Sequence, residues 1–236
     1  MPSKAEIIAA RDWTDFSTPA RPRATHSAAP PSGLGRLAAA LKRGEDLFGA
    51  LLALALFALP MVMVALAIRI DSPGPALFRQ RRTGLGNRDF AMLKFRTMHV
   101  AACDPRGGAQ TSPGDPRLTR LGSFLRRTSL DELPQLLNVL GGQMALVGPR
   151  PHAPDTRAGG RLFHEVMEDY PARHVVKPGI TGLAQVRGLR GPTRTEDALI
   201  RRVEADFEYI ARCSLALDAA ILLRTAICVL RMKNAY

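Results

Sequence analysis

The chain has 236 residues, with 33 Lys and Arg against 21 Asp and Glu and a formal net charge of +12. That length suits one substantial domain and hardly two, and the charge points to acidic partners: phosphates, nucleic acid or anionic lipid. Cys103, Cys213 and Cys228 are odd in number and lack metal-ligand spacing, which argues against a disulfide framework and a zinc site.

Residues 1–33 are rich in Ala, Pro, Thr, Ser and Arg, with only scattered apolar side chains. They are expected to form a disordered tail. Their mixed early charge and the late start of the apolar run do not fit a signal peptide. From Leu47 to Ile68 no residue is charged, and a run above about 18 apolar residues is a membrane-helix candidate. One reading is a single span. The other is a helix over about 45–70 that enters, breaks at Pro60 and returns to the same side. The Leu47–Leu59 half would be roughly 20 Å long, short of a ~30 Å hydrocarbon core. Both flanks are basic: Arg36, Lys42 and Arg43 before, Arg69, Arg79, Arg81 and Arg82 after. The positive-inside rule then places both flanks in the cytoplasm. Proline is also tolerated in true spans, so these residues alone leave both readings open.

Asp71-Ser72-Pro73-Gly74-Pro75 stops the helix. Ala76–Arg81 and Arg88–Thr97 read as two strands around a hairpin-like turn at Gly84–Asn87. In the second strand Lys94 and Arg96 share one face, opposite Leu93 and Phe95. That pattern suits two cations lining a site, and equally a solvated edge. Cys103–Asp115 is a polar, Gly- and Pro-containing loop. The stretch Leu125–Leu137 follows, with Asp131 and Glu132 between a pair of arginines and an apolar run. Taking Asp131 as a helix N-cap places Pro134 in the first turn, where its missing N–H costs nothing. Taking Ser129 as the cap, with Glu132 completing a capping box, would let Pro134 delete a hydrogen bond. The first register is preferred. The helix is expected to end at Gly141-Gly142.

Pro149 and Pro151 fix the backbone on either side of Arg150, so its guanidinium is presented with little entropy left to lose. Tyr170–Gly188 reads as a structured loop with one short strand. Thr193 and Glu196 form a capping box before a helix with Leu199, Ile200, Val203, Phe207 and Ile210 on one face. A last apolar helix over Ser214–Met232 carries Asp218 and Arg224, which make it a poor span and a better interfacial helix. Internal repeats, a Walker or Rossmann loop, a Ser-His-Asp order and a helix-turn-helix signature are all lacking. The fold class is mainly α with a small β-hairpin (α+β).

Several blocks now stand in one order: Asp71–Pro75, Phe78-Arg79-Gln80, Lys94–Met98, Leu125–Leu137, Val147–Pro151 and Lys177–Gly182. Over about residues 45–230 the chain resembles the bacterial sugar transferases, the monotopic polyprenyl-phosphate phosphoglycosyl transferases. The resemblance implies a monotopic enzyme at the cytoplasmic face of the bacterial inner membrane, with interfacial helices and a re-entrant helix broken at Pro60. Residues 34–236 would be its catalytic domain. It would move a sugar 1-phosphate from a UDP-sugar to undecaprenyl phosphate, release UMP and use Mg²⁺. By position Asp131 matches the family nucleophile and Glu132 its dyad partner. Arg126 matches an arginine holding acceptor phosphate, and Pro149-Arg150-Pro151 a nucleotide-binding segment. Lys94 and Arg96 are candidates for phosphate oxygens, and Asp131 and Glu132 for the metal.

A carboxylate needs no deprotonation at neutral pH, and a covalent relay splits one hard transfer into two. Members usually have Gly-Asp-Met-Ser where this chain has Gly142-Gln143-Met144-Ala145, and Trp where it has Leu183. The loops around Gly148–His152, Tyr170–Gly182 and Gly188–Thr193 look most like glucose 1-phosphate transferases that begin exopolysaccharide or capsule repeat units. Galactose and N-acetylated amino sugars are the rival donors. Inner-membrane lipid is an expected partner, nucleic acid is not, and a homo-oligomer is compatible with the sequence. The readings from other classes are a membrane-anchored domain binding an anionic polymer and a catalytically degenerate scaffold.

Overall fold

The computed structural model describes residues 33–104, 110–112 and 114–230. The expected tail over residues 1–32 lies outside them, whereas Gly33, assigned to that tail, begins a helix. This helix, α1, runs from Gly33 to Asp71, roughly 58 Å at 1.5 Å per residue. It is the one helix among the described residues long and apolar enough to cross a membrane, with a mean hydropathy of 2.8 over its most apolar stretch. The expected helix-break-helix is not seen as two helices: α1 is helical on both sides of Pro60 and through it. Leu, Ala and Met favour the helix, and one lost amide hydrogen bond does not end it.

Both halves of α1 bury a side on the same globular body. Ala50 is fully buried among Leu136, Val139, Met144 and Leu146, with Ala53 and Leu54 beside it. Beyond Pro60, Ile68 packs with Phe95 and Leu125, flanked by Met61, Val64 and Ala65. The other side leaves Leu51, Leu52, Leu56, Leu59, Val62, Met63, Leu66 and Ile70 exposed.

After α1 comes the hairpin, β1 (Leu77–Thr83) antiparallel to β2 (Asp89–Phe95), with Phe78 opposite Lys94 and Arg82 opposite Phe90. Helix α2 (Arg120–Thr128) leads through a 3₁₀ turn (Leu130–Glu132) into α3 (Gln135–Leu140). Strand β3 (Ala145–Val147) pairs in parallel with β6 (Gly179–Thr181), a pairing too short to leave a period in the sequence. Between them lie the small ladder of β4 (Arg157–Ala158) and β5 (Arg161–Leu162), helix α4 (Phe163–Val166) and a 3₁₀ segment (Tyr170–Val175). Helices α5 (Leu183–Val186), α6 (Glu196–Arg212) and α7 (Leu215–Leu230) close the chain. The expected capping box at Thr193 is replaced by Thr195, whose side chain accepts from Ala198 N.

A buried polar knot joins α1 and α7 to the body. Lys42 Nζ of α1 lies 2.9 Å from Asp46 Oδ1 and 2.7 Å from Asp218 Oδ2 of α7. Asp46 also accepts from Leu146 N, and Tyr209 OH lies 2.8 Å from Asp218 Oδ1. Asp218, one of the charges that make α7 a poor span, is therefore fully buried and paired.

Candidate active site

The dyad is delivered by a sharp change of direction. Ser129 ends α2 in the left-handed region (φ 58°, ψ 15°), where its N–H donates to Arg126 O. The chain then enters the 3₁₀ turn, and α3 begins only at Gln135, with Pro134 in the capping position. Neither expected register holds. Asp131 caps no helix through its side chain, and Ser129 makes no capping box with Glu132. Helix α2 packs tightly on the chain just past β2: a Cβ on Gly122 would lie 2.0 Å from Thr97 O. Arg126, one turn on, donates from Nε to Thr97 Oγ1 at 2.9 Å.

Asp131 is buried and Glu132 half-buried, and both line a cavity of about 980 Å³. Arg82 and Lys94 enter it from the hairpin, Arg126 from α2 and Arg150 from the loop after β3. Arg150 grips Glu132 with both terminal nitrogens, one on each carboxylate oxygen. The two acids consequently differ. Burial, then the neighbouring Glu132 charge, pushes Asp131 up to about 7 against the pull of Lys94, Arg126 and Arg150. Burial also raises Glu132, but Arg150 outweighs it and holds that carboxyl down to about 2. Lost hydration and the adjacent Arg82 lower Lys94 well below the usual lysine range. Like cations crowded in this way form a preorganised anion site.

Arg150 is itself fixed from behind. Arg173, fully buried, donates to Arg150 O at 2.8 Å and pairs with Asp206 Oδ2 at 2.5 Å. The same guanidinium approaches Tyr170 OH and His152 Nδ1. Arg202, also buried, reaches Gly191 O and lines the cavity. Pro149 presents no side chain to the cavity; its carbonyl accepts from Gly179 N at 3.0 Å, while Pro151 lines the wall.

Arg96 is a correction. It lies just past the end of β2 and its guanidinium is spent on Ser72 O, Ser72 Oγ and Pro75 O. It pins the turn after α1 and is not among the cavity-lining residues. Conversely, Arg82 and Gln80 were passed over by the sequence reading. Their shared parity with Phe78 on β1 was the available signal, and all three line the cavity.

The far limb of the cavity is apolar. Leu52, Leu56 and Phe57 of α1 face Leu222, Ala226 and Val229 of α7. One continuous space thus runs from a cationic cradle into a slot between two helices with exposed apolar faces.

The comparison that decides the family covers most of the chain: residues 37–232 match the family described as bacterial sugar transferase. The chain belongs to that family. It is 53% identical over 83% of its length to an undecaprenyl-phosphate glucose phosphotransferase of Komagataeibacter xylinus, and covers 37% of that protein. It is 49% identical over 79% of its length to the exopolysaccharide production protein PSS of Rhizobium leguminosarum bv. phaseoli, covering 94% of it. It is 50% identical over 88% of its length to a UDP-glucose:undecaprenyl-phosphate glucose-1-phosphate transferase of Caulobacter vibrioides, covering 76% of it. The chain therefore spans little more than a third of one relative and nearly all of another.

Within this sugar transferase the two sequence departures fall outside the cavity wall. Gln143 is exposed and accepts from Asn138 Nδ2 at 2.7 Å, steadying the residue whose amide also binds Leu93 N and Ala91 O of β2. Leu183 is buried in the main core, where an apolar side chain fits without a polar partner.

Proposed function

We propose that this sugar transferase moves glucose 1-phosphate from UDP-glucose to undecaprenyl phosphate, releasing UMP and beginning an exopolysaccharide or capsule repeat unit. The observation that carries this reading is one cavity in which a carboxylate dyad, with Arg82, Lys94, Arg126 and Arg150 around it, opens into an apolar slot. A soluble diphosphate donor needs the first part, and an isoprenoid phosphate needs both. The names of the three relatives, two of which specify glucose, favour that sugar over galactose or an N-acetylated amino sugar.

In the proposed sequence an Asp131 oxygen attacks the phosphorus bonded to the sugar. The bond from that phosphorus to the bridging oxygen breaks, and UMP leaves with the electron pair. A phosphate oxygen of the acceptor then attacks the phosphosugar on Asp131, the aspartyl–phosphorus bond breaks, and the carboxylate returns. Lys94, Arg82 and Arg126 hold phosphate oxygens. Arg150 keeps Glu132 ionised and in place. The like charge of Glu132 and the apolar backing leave Asp131 poorly solvated, hence a better nucleophile when ionised.

Among the described residues no group of three or more His, Cys, Asp or Glu is placed to hold a metal. Two adjacent carboxylates nevertheless suit Mg²⁺, which takes one or two protein carboxylates and fills its shell with substrate phosphates and water. Asp131 and Glu132 would hold it. When bound it would offset repulsion between the dyad and the diphosphate and ease departure of UMP.

For the membrane, we read α1 as a re-entrant element in the cytoplasmic leaflet of the inner membrane. Supporting this, residues on both sides of Pro60 bury against one body. Arg43 near the start of α1 donates to Val139 O and Leu140 O, at the end of α3. A spanning helix would carry one half away from that body. The reading is tested by UMP release from a panel of UDP-sugars with undecaprenyl phosphate. Release with UDP-glucose that depends on the acceptor and on Mg²⁺ supports it; no release with any donor by folded protein sinks it and favours a scaffold.

A further inference from the structure

The hairpin brings two cations of the cradle together with no carboxylate between them. Arg82 Nη2 and Lys94 Nζ both donate to one atom, Gln80 Oε1, the lysine at 2.9 Å. Gln80 is buried at 8% exposure, and its Nε2 donates to Asp104 O at 3.1 Å. These partners fix which end of the amide faces the cations, because Lys and Arg carry no acceptor and only the oxygen can serve them.

Two neighbouring cations shielded from water ordinarily gather a carboxylate, which gives strong pairing and removes one charge. Here the shared acceptor is neutral, so both charges remain. Arg82 Nε is buried with no acceptor among the described residues, so the guanidinium keeps an unused donor. Lost hydration lowers both cations, joined by the Arg150 charge at Arg82, which falls to about 10, and by the Arg82 charge at Lys94. An arriving anion would relieve that cost.

We infer that Gln80 is a positioning residue: it tethers Arg82 and Lys94 side by side through a neutral oxygen, so that the cradle keeps the charge with which it takes the donor diphosphate. This rests on reading the cradle as the phosphate site. It goes beyond that reading in assigning a neutral side chain the task of setting the site's charge. Glutamate at this position would satisfy the two cations better and the substrate worse. Stability and affinity should therefore move in opposite directions, which a packing residue would not produce.

The test compares wild type with Gln80→Glu and the near-isosteric, acceptor-free Gln80→Met in detergent or nanodiscs. UMP release against UDP-glucose gives KM and kcat, and thermal unfolding gives Tm. Gln80→Glu is expected to raise the donor KM about tenfold or more, as one added negative charge a few ångströms from the diphosphate should. Its Tm should equal or exceed that of wild type. Gln80→Met, which leaves the cations without their tether, should lower Tm. An unchanged KM in Gln80→Glu overturns the inference, as does a raised KM accompanied by a Tm lowered like that of Gln80→Met. If wild type neither binds nor turns over UDP-glucose, the phosphate reading itself has failed. If wild type is active and Gln80→Glu matches it, only the assignment to Gln80 has failed.

Discussion

Asp131 and Glu132 are adjacent in the chain and the protein separates them chemically. Glu132 is held by Arg150, whereas Asp131 has burial and a like-charged neighbour against it. Because the folded state raises Asp131 above its unfolded value, its contribution favours folding at low pH and is lost as pH rises through about 7. Asp131→Asn removes the strained charge and should raise Tm at pH 8. That gain should shrink as pH falls below 7 and vanish only below about 4, where the aspartate is protonated in the unfolded chain as well as in the fold; thermal scans across that range measure it. A fall in Tm at pH 8 would mean the cations outweigh burial. Such a trade of stability for a reactive group is common at functional sites. At this scale the sequence was readable where local pattern matched tertiary use. Lys94 points into the cavity as strand alternation required, but Arg96 lies beyond the last paired residue, where alternation no longer applies. Arg82 reads as membrane-flank charge in the sequence because the strand signal stops at Arg81, two residues short of the strand's end at Thr83.

Among the elements, the least legible part was how the chain turns between α2 and α3. Ser129 adopts a left-handed conformation that its residue type does not announce. Gly122 permits a backbone approach visible only once β2 is in place. The long helices α1, α6 and α7, the hairpin and the Gly141-Gly142 stop were legible, since each has its own period or breaker; the short helices α2, α4 and α5 have neither. A second hidden element is the pillar behind Arg150. Arg173 and Asp206 come from segments 33 positions apart, form a buried pair and carry no local motif. Arg173→Ala should destabilise the fold by about 3–5 kcal/mol, because it leaves Asp206 buried without its partner. Denaturant unfolding reads that loss. Asp206→Asn in the same background should recover part of it by removing the orphaned charge, whereas no recovery would show that the cost is packing alone.

For the molecule as a whole, α1 and α7 carry exposed apolar faces, and the cavity slot between them runs to the cationic cradle. The apolar run was plain in the sequence, and its two basic flanks already admitted a re-entrant helix beside a single span. Contacts made by both halves of α1 on one body favour the first, and no hydropathy pattern contains them. With Cys103, Cys213 and Cys228 replaced, cysteines at Arg36 and Asp71, both exposed, should resist an impermeant maleimide in intact spheroplasts and react after lysis. Labelling of one before lysis would make α1 a span and place the body's contacts with one of its halves in doubt. The most direct measurement of the central claim is covalent: incubate membrane-extracted protein with UDP-glucose carrying ³²P at the β-phosphate, quench, and look for label on the chain. The account predicts label on wild type that is chased by undecaprenyl phosphate, and neither label nor turnover with Asp131→Asn. An Asp131→Asn chain that still releases UMP at the wild-type rate would contradict it.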